Sequence, residues 1–466
     1  MKIFRFLIVL LVVAGLFTNT AIAQTPSGDQ ARYIVQTGDT LYSIALRFGI
    51  SLTSLTETNG ITDPNQLFPG QELIIPGLEG VSGLLTTETL GFGDSLAGMA
   101  TRTNIPYETL VRINRITSPS EVYAGMNIIL PQLEGETALN KQIAIRSGQT
   151  LLEASILQDS SPWTISLLNN LPNQATILPG DRLYINSSSV EGNSIGIYPY
   201  IENIKVDPLP LAQGHMAELS VNTYEDATLS GSLTDHELVF FPNGDKSYVA
   251  LQGIHAMLDP GLYPISIAVQ LADGSTFSYQ QQVYIESGNF PKDPPLTVDP
   301  TTLDPAVTQP EEEQVVGVIS RITSTRQWSD IFTLPVGTPY CIKSWFGDRR
   351  SYNGSDYSYF HAGLDYGVCS VDKPFAILAP APGTVVFTGQ LTVRGNATII
   401  DHGWGIFTGY WHQKGILVNV GDPVTAGQEI GLIGATGRAN GPHLHWEVWV
   451  NGVQVDPQDW LDRQYP

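Results

Sequence analysis

The chain has 466 residues, with 45 glycines, 31 prolines and 45 acidic against 23 basic residues, a net charge of −22. So acidic a surface repels phosphate backbones and excludes nucleic acid as a partner. The length exceeds what one hydrophobic core supports, so several domains are expected.

Residues 1 to 23 combine Lys2 and Arg5, an apolar stretch from about Phe6 to Phe17, and a small-residue tail, Ala21-Ile22-Ala23. This reads as a secretory signal cleaved before Gln24, so the mature chain is expected outside the cytoplasm, extracellular or periplasmic. An uncleaved anchor is the alternative, but the stretch is shorter than the roughly 20 residues a spanning helix needs. No later stretch is long and apolar enough, so no stable membrane span is expected after cleavage. Loss of Lys2 and Arg5, with no acidic residue lost, takes the balance to 21 basic against 45 acidic, or −24.

A repeat follows. Gly38-Asp39-Thr40-Leu41, Gly93-Asp94-Ser95-Leu96 and Gly148-Gln149-Thr150-Leu151 open three units at intervals of 55 residues. Each has an asparagine at the same offset (Asn59, Asn114, Asn169), then a glycine turn (Pro69-Gly70, Ala124-Gly125, Pro179-Gly180) and an apolar strand. Steps of three and four between Leu41, Ile44, Ala45 and Phe48, followed by Leu52 and Leu55, predict two short helices. Thr40, Ser95 and Thr150 stand where hydroxyls cap helix N-termini. Each unit reads as strand, helix, helix, strand, over 32–77, 86–132 and 141–187. This pattern resembles the LysM module, closely in the first unit (Tyr33-Ile-Val-Gln-Thr-Gly-Asp-Thr-Leu-Tyr), with the third divergent. The resemblance implies binding to N-acetylglucosamine-containing glycan, chiefly peptidoglycan or chitin, in a groove between the opening turn and the loop before the last strand. Gly38, Asp39, Thr40 and Pro69 are the candidate glycan contacts; the alternative is that they only shape turns.

Residues 196–286 show short alternating runs, such as Glu218 to Thr223 and Tyr263 to Leu271, separated by Gly, Pro, Asn and Asp, which predict a β-sandwich-like spacer. Its histidines, His215, His236 and His255, read as surface or core residues. Residues 287–314, rich in Pro, Thr and Asp and ending near Glu311-Glu312-Glu313, read as an extended, solvated linker.

Residues 315–466 hold five of the eight histidines. Glycine-punctuated alternation, as in Thr384 to Phe387, predicts strands and tight turns, and the His-Glu-x-x-His helix motif is missing. In a strand, His443 and His445 share a face, and so do His361 and Asp365 if extended, with Gly363 leaving room for a neighbouring backbone. Two imidazoles and one carboxylate suit zinc with an open fourth position, which is hydrolytic chemistry. Cys341 and Cys369 are the two cysteines; in an exported chain the paired count suggests one disulfide, with two buried free thiols as the alternative.

The set Trp345-Phe-Gly-Asp-Arg349, His361-Ala-Gly-Leu-Asp365, Tyr410-Trp-His412 and Gly437-Arg-Ala-Asn-Gly-Pro-His443-Leu-His445-Trp-Glu-Val resembles the lysostaphin-like M23 family of zinc endopeptidases. The resemblance implies an antiparallel β domain with one zinc ion held by His361, Asp365 and His445. It further implies that His412 and His443 flank the open position as acid/base groups that stabilise the developing oxyanion. Arg349 and Tyr410 are candidates either for the substrate cleft or for packing, and His402, before a turn, reads as structural. The whole chain is therefore expected to be multidomain and mainly β. Its expected task is hydrolysis of peptidoglycan stems or crossbridges while held on cell-wall glycan. The alternative is a silent wall-binding scaffold or regulator of other hydrolases.

Overall fold

The computed structural model describes residues 30–466 except 37–38, 64–66, 79–80, 82, 133–140, 146–147, 170, 173–176, 179–180, 186–195, 199–200 and 369–374. The expected signal segment, Gly38, the Pro179-Gly180 turn and Cys369, and with Cys369 the expected pairing to Cys341, lie outside the described residues. No helix among the described residues is long and apolar enough to cross a membrane. The described residues divide into two compact bodies, those within 30–87 and 129–132 and those within 88–128 and 141–466.

In the first body, strand Ala31–Ile34 pairs antiparallel with Glu72–Ile74, and helices Leu41–Arg47 and Leu52–Thr58 lie between them in sequence. The three- and four-residue spacing buries Leu41, Ile44, Ala45 and Leu55 with Tyr33 and Leu73. Thr40 caps the first helix by accepting from Ser43 N–H, and Ser43 returns the bond to the Thr40 backbone. The repeated asparagine has a physical role: the Asn59 side chain donates to the Ile74 carbonyl (2.8 Å) and accepts from its N–H (2.7 Å), tying the second helix to the last strand.

In the second body, helices Leu96–Thr103 and Tyr107–Ile113 form a second such pair. A third unit has strands Lys141–Ala144 and Arg182–Ile185 paired antiparallel, with helices Leu151–Leu157 and Pro162–Leu168 between them in sequence. There Asn169 makes the same two-way bond to Tyr184, at 2.7 and 2.6 Å. The middle segment is a pair of five-stranded sheets whose facing residues, among them Leu219, Val221, Ile265, Ile267 and Val283, are buried together.

The C-terminal domain is built on an antiparallel sheet. Its strand order is Cys341–Ser344, Leu364–Gly367, His443–Val450, Ile406–Gln413, Gly395–Gly403, Gly383–Leu391 and Pro423–Val424. Alternation along His443–Val450 sends Leu444, Trp446 and Val448 into the main core. His443, His445, Glu447 and Trp449 take the other face. The far end of that face is covered by a helix that the sequence reading missed.

Residues 287–314 are not an extended linker. Lys292 and Leu296 bridge to Arg349 and Tyr352, and Pro305–Ile319 is a helix capped by Asp304. It lays Val315 and Ile319, four residues apart, on Leu391, Ile399, Phe407, Trp411 and Trp449. The acidic run is not wholly solvated either, since Glu311 is 5 % exposed.

His402 is structural. Its Nδ1 bonds to the Pro382 carbonyl at 2.7 Å and its Nε2 to Thr408 Oγ1 at 2.8 Å, and burial pushes its pKa down to about 4. Between the ordinary value of about 6.5 and 4, the unfolded chain binds a proton that the folded domain refuses. Stability from this residue is therefore full above about pH 6.5 and falls as pH drops toward 4, by up to about 3 kcal/mol. Chemical unfolding at pH 7 and pH 5 should show a larger loss in the wild type than in His402→Gln. Equal pH dependence would contradict this.

Candidate metal centre

Asp365 and His445 stand directly opposite each other on adjacent antiparallel strands, so they project to the same face. His361 arrives differently from expectation. It lies not on a strand but in the link between Tyr359–Phe360 and Leu364–Gly367. Its backbone is held by the Asp348 carbonyl and Gly347 N–H, at 2.9 and 2.8 Å. Gly363 is what permits this turn, because a Cβ there would sit 2.2 Å from the Trp446 carbonyl oxygen.

Three donor atoms converge. His361 Nε2 lies 3.0 Å from Asp365 Oδ1 and 2.9 Å from His445 Nδ1, and the last two are 2.8 Å apart. Their tautomers are set from behind. His361 Nδ1 is 2.7 Å from the Trp345 carbonyl, which can only accept, so Nδ1 carries the proton and Nε2 offers its lone pair. His445 Nε2 is 2.9 Å from Glu447 Oε1 and likewise donates outward. Glu447 is held in turn by Gln454 Nε2 at 3.0 Å. Carboxylate and carbonyl partners of this kind orient imidazoles around metals.

His412 and His443 complete the cluster, with ring centroids 4.8 Å apart. Each commits Nδ1 to a backbone carbonyl, His412 to Thr436 at 2.7 Å and His443 to Gly441 at 2.8 Å, leaving both Nε2 atoms for other partners. His412 reaches the site through a β-bulge. Trp411 pairs with His445, so strict alternation would turn His412 to the other face. Instead the pairing slips between Asn396/Gln413 and Thr398/Tyr410, and His412 takes φ +61°.

The electrostatics favour a cation among the three convergent atoms. Burial acts against ionised Asp365, but its contacts with His361 and His445 outweigh this and hold it well below the usual carboxylate range. Burial lowers His445, yet hydrogen bonds to Asp365 and Glu447 lift it to about 9. His412 goes the other way. Burial, reinforced by His445 and His443, pushes it down to about 3, so it is neutral at ordinary pH.

These groups line a groove of about 1090 Å³. Arg350, not Arg349, enters it, with Nη2 3.8 Å from Asp365 Oδ2 and 2.7 Å from Ser344 Oγ. Arg349 points away and donates to the Ala256 carbonyl at 2.7 Å. Tyr410 is not a cleft residue either; it is fully buried and shares a hydrogen bond with Thr408 Oγ1. Its strand is buried on both faces, so alternation says nothing about which side is wet. Among the glycan candidates, Asp39 accepts from Gln36 N–H and Tyr33 Oη at 2.7 Å each and pairs with Arg47 at 3.0 Å. Thr40 is the helix cap, and Pro69 is exposed. The sequence reading missed Glu447, although period two from His443 and His445 was the available signal.

Fold and site define a glycine-rich antiparallel β domain with a His-Asp-His donor set. The model of peptidase family M23 matches residues 359–457, and the LysM domain model matches 33–76 and 89–131. The chain thus carries an M23 peptidase domain together with LysM domains. It is similar to peptidoglycan DD-endopeptidase ShyA of Vibrio cholerae, 38% identical over 122 residues, 26% of this chain and 28% of that one. It is also similar to murein hydrolase activator EnvC of Escherichia coli, 37% identical over 87 residues, 19% of this chain and 21% of that one. Among solved structures it is similar to the catalytic domain of lysostaphin from Staphylococcus simulans, with 28% identity, a TM-score of 0.24, and coverage of 27% of this chain and 93% of that one. The match to the curated relatives thus spans under a third of their length.

Proposed function

We propose that this chain is an exported, zinc-dependent endopeptidase that hydrolyses peptide stems or crossbridges of peptidoglycan while its LysM modules hold it on wall glycan. One observation carries the reading: three donor atoms converge, and the two imidazoles among them have their lone pairs turned inward by Trp345 and Glu447. Two nitrogens and one oxygen fit zinc, and His361, Asp365 and His445 would hold it. When bound, zinc supplies Lewis-acid polarisation and a nucleophile at neutral pH.

The chain's own residues supply the rest. His412 is neutral with its Nδ1 proton committed to Thr436, so its Nε2 lone pair is ready to take the proton of the attacking water. His443 Nε2 stands 3.7 Å from Asp365 Oδ1, close enough for this pair of imidazoles to return a proton to the leaving amine and to bond the developing oxyanion. Tethering by LysM modules raises the local concentration of bonds to cut. Cys341 and Cys369 are proposed to form a disulfide in the exported chain.

The silent-scaffold reading draws on the likeness to a hydrolase activator. The retained donor set and both flanking imidazoles support the enzyme. Dye release from labelled peptidoglycan should stop on chelation and return with zinc, and metal analysis should give one zinc per chain. No release from the zinc-loaded protein would sink the enzyme reading. Glu447→Gln should weaken zinc binding about 10- to 100-fold, since His445 loses its charged outer partner. Competition with a chelating dye measures this, and unchanged affinity would contradict the role given to Glu447.

A further inference from the structure

We infer that Glu311, on the helix before the peptidase domain, is a positioning residue for His412. Its carboxylate is 5 % exposed and accepts three hydrogen bonds from one short loop: Val393 N–H at 2.7 Å, Arg394 N–H at 3.1 Å and Arg394 Nη1 at 3.1 Å. Glu312 holds Arg394 Nη2 at 2.7 Å, and the guanidinium lies over the Trp411 ring at 5.5 Å. The loop is therefore pinned from above by two consecutive carboxylates.

The same loop holds the bulge. The Arg394 carbonyl accepts the His412 backbone N–H at 2.9 Å. At φ +61° a non-glycine residue is strained and keeps that conformation only where its surroundings impose it. Thr436 imposes it from the other side, taking His412 Nδ1 at 2.7 Å and bonding Gln413 O through its hydroxyl at 3.0 Å. Gly434 allows that approach, since a Cβ there would be 2.7 Å from the His412 carbonyl oxygen. His412 is thus gripped between loop 393–394 and Thr436, and the first of these grips is referred to the helix through Glu311.

A buried carboxylate facing two backbone N–H groups is a specific demand rather than a solubility feature. Removing it leaves the Val393 and Arg394 N–H groups and Arg394 Nη1 without this acceptor beside His412, while Glu312 still holds Arg394 Nη2. The loop is then free to shift, and displacement of an acid/base group by about 1 Å costs up to roughly a hundredfold in turnover. Val315 and Ile319 keep the rest of the helix docked, so the effect is local.

This role rests on the peptidase reading above. The test uses the full chain as wild type, Glu311→Ala and the isosteric Glu311→Gln. It measures zinc content, kcat and KM on a soluble peptidoglycan fragment that the wild type cleaves, and amide hydrogen exchange. Glu311→Ala is expected to lower kcat about 10- to 100-fold with KM within about twofold and full zinc. The His412 amide should exchange faster while strand Gly395–Gly403 keeps its protection. Glu311→Gln, which retains one acceptor, should fall between. Wild-type kcat in both variants, a loss carried by KM, or a loss that tracks zinc or domain-wide protection would each overturn the role. An inert wild type would instead sink the peptidase reading, and this role with it.

Discussion

Asp365→Asn is expected to abolish zinc binding and lower kcat/KM by about 10³-fold or more, the several kcal/mol that Lewis-acid assistance contributes. Asp365 Oδ1 is the shared point of the cluster, 3.0 Å from His361 Nε2, 2.8 Å from His445 Nδ1 and 3.7 Å from His443 Nε2. It is also the one carboxylate among the three convergent donors. With a neutral amide in its place, the Arg350 guanidinium, 3.8 Å from Asp365 Oδ2, faces the imidazoles without that charge between them and repels a dication. Volume is conserved, so the sheet should stay folded. Metal analysis and circular dichroism on the same sample separate loss of zinc from loss of fold. A variant that keeps stoichiometric zinc would contradict the ligand assignment.

The second large effect is of a different kind. His412→Ala and His443→Ala should each lower kcat by about 10²- to 10⁴-fold, the range for a positioned acid/base group, while zinc content stays at wild type. Both imidazoles are fixed by backbone carbonyls rather than by the donor set, so removing either leaves the three convergent atoms in place. The double variant should lose little more than the worse single one, because groups acting as a unit are not additive. Losses that simply multiply, or zinc loss in either single variant, would contradict the division of labour.

Much of the site was legible because period two is simple. His443 and His445 share a face on any strand, and the structure puts Asp365 opposite His445. What failed did so where local pattern is silent. Arg349 and Arg350 are neighbours on a two-residue strand, and neither composition nor spacing says which faces the groove. Tyr410 lies on a strand buried on both sides. The helix Pro305–Ile319 carries Pro305, Pro310 and three glutamates, with Val315 and Ile319 as its buried apolar contacts, so its sequence looks solvated until Trp411 and Trp449 give it a surface to cover. The φ of His412 has no local sequence signature, because loop 393–394 and Thr436 impose it from a distance. The repeated asparagines, by contrast, are visible as a pattern before the bonds of Asn59 and Asn169 to the last strand are known.

The most direct test of the account is mass spectrometry of purified peptidoglycan after incubation with the zinc-loaded chain, beside chelator-treated and His443→Ala controls. A new amine and a new carboxylate are expected at one peptide bond of the stem or crossbridge, absent from both controls. No new peptide ends from peptidoglycans of several crossbridge types would contradict it and leave a wall-binding protein with a silent metal centre.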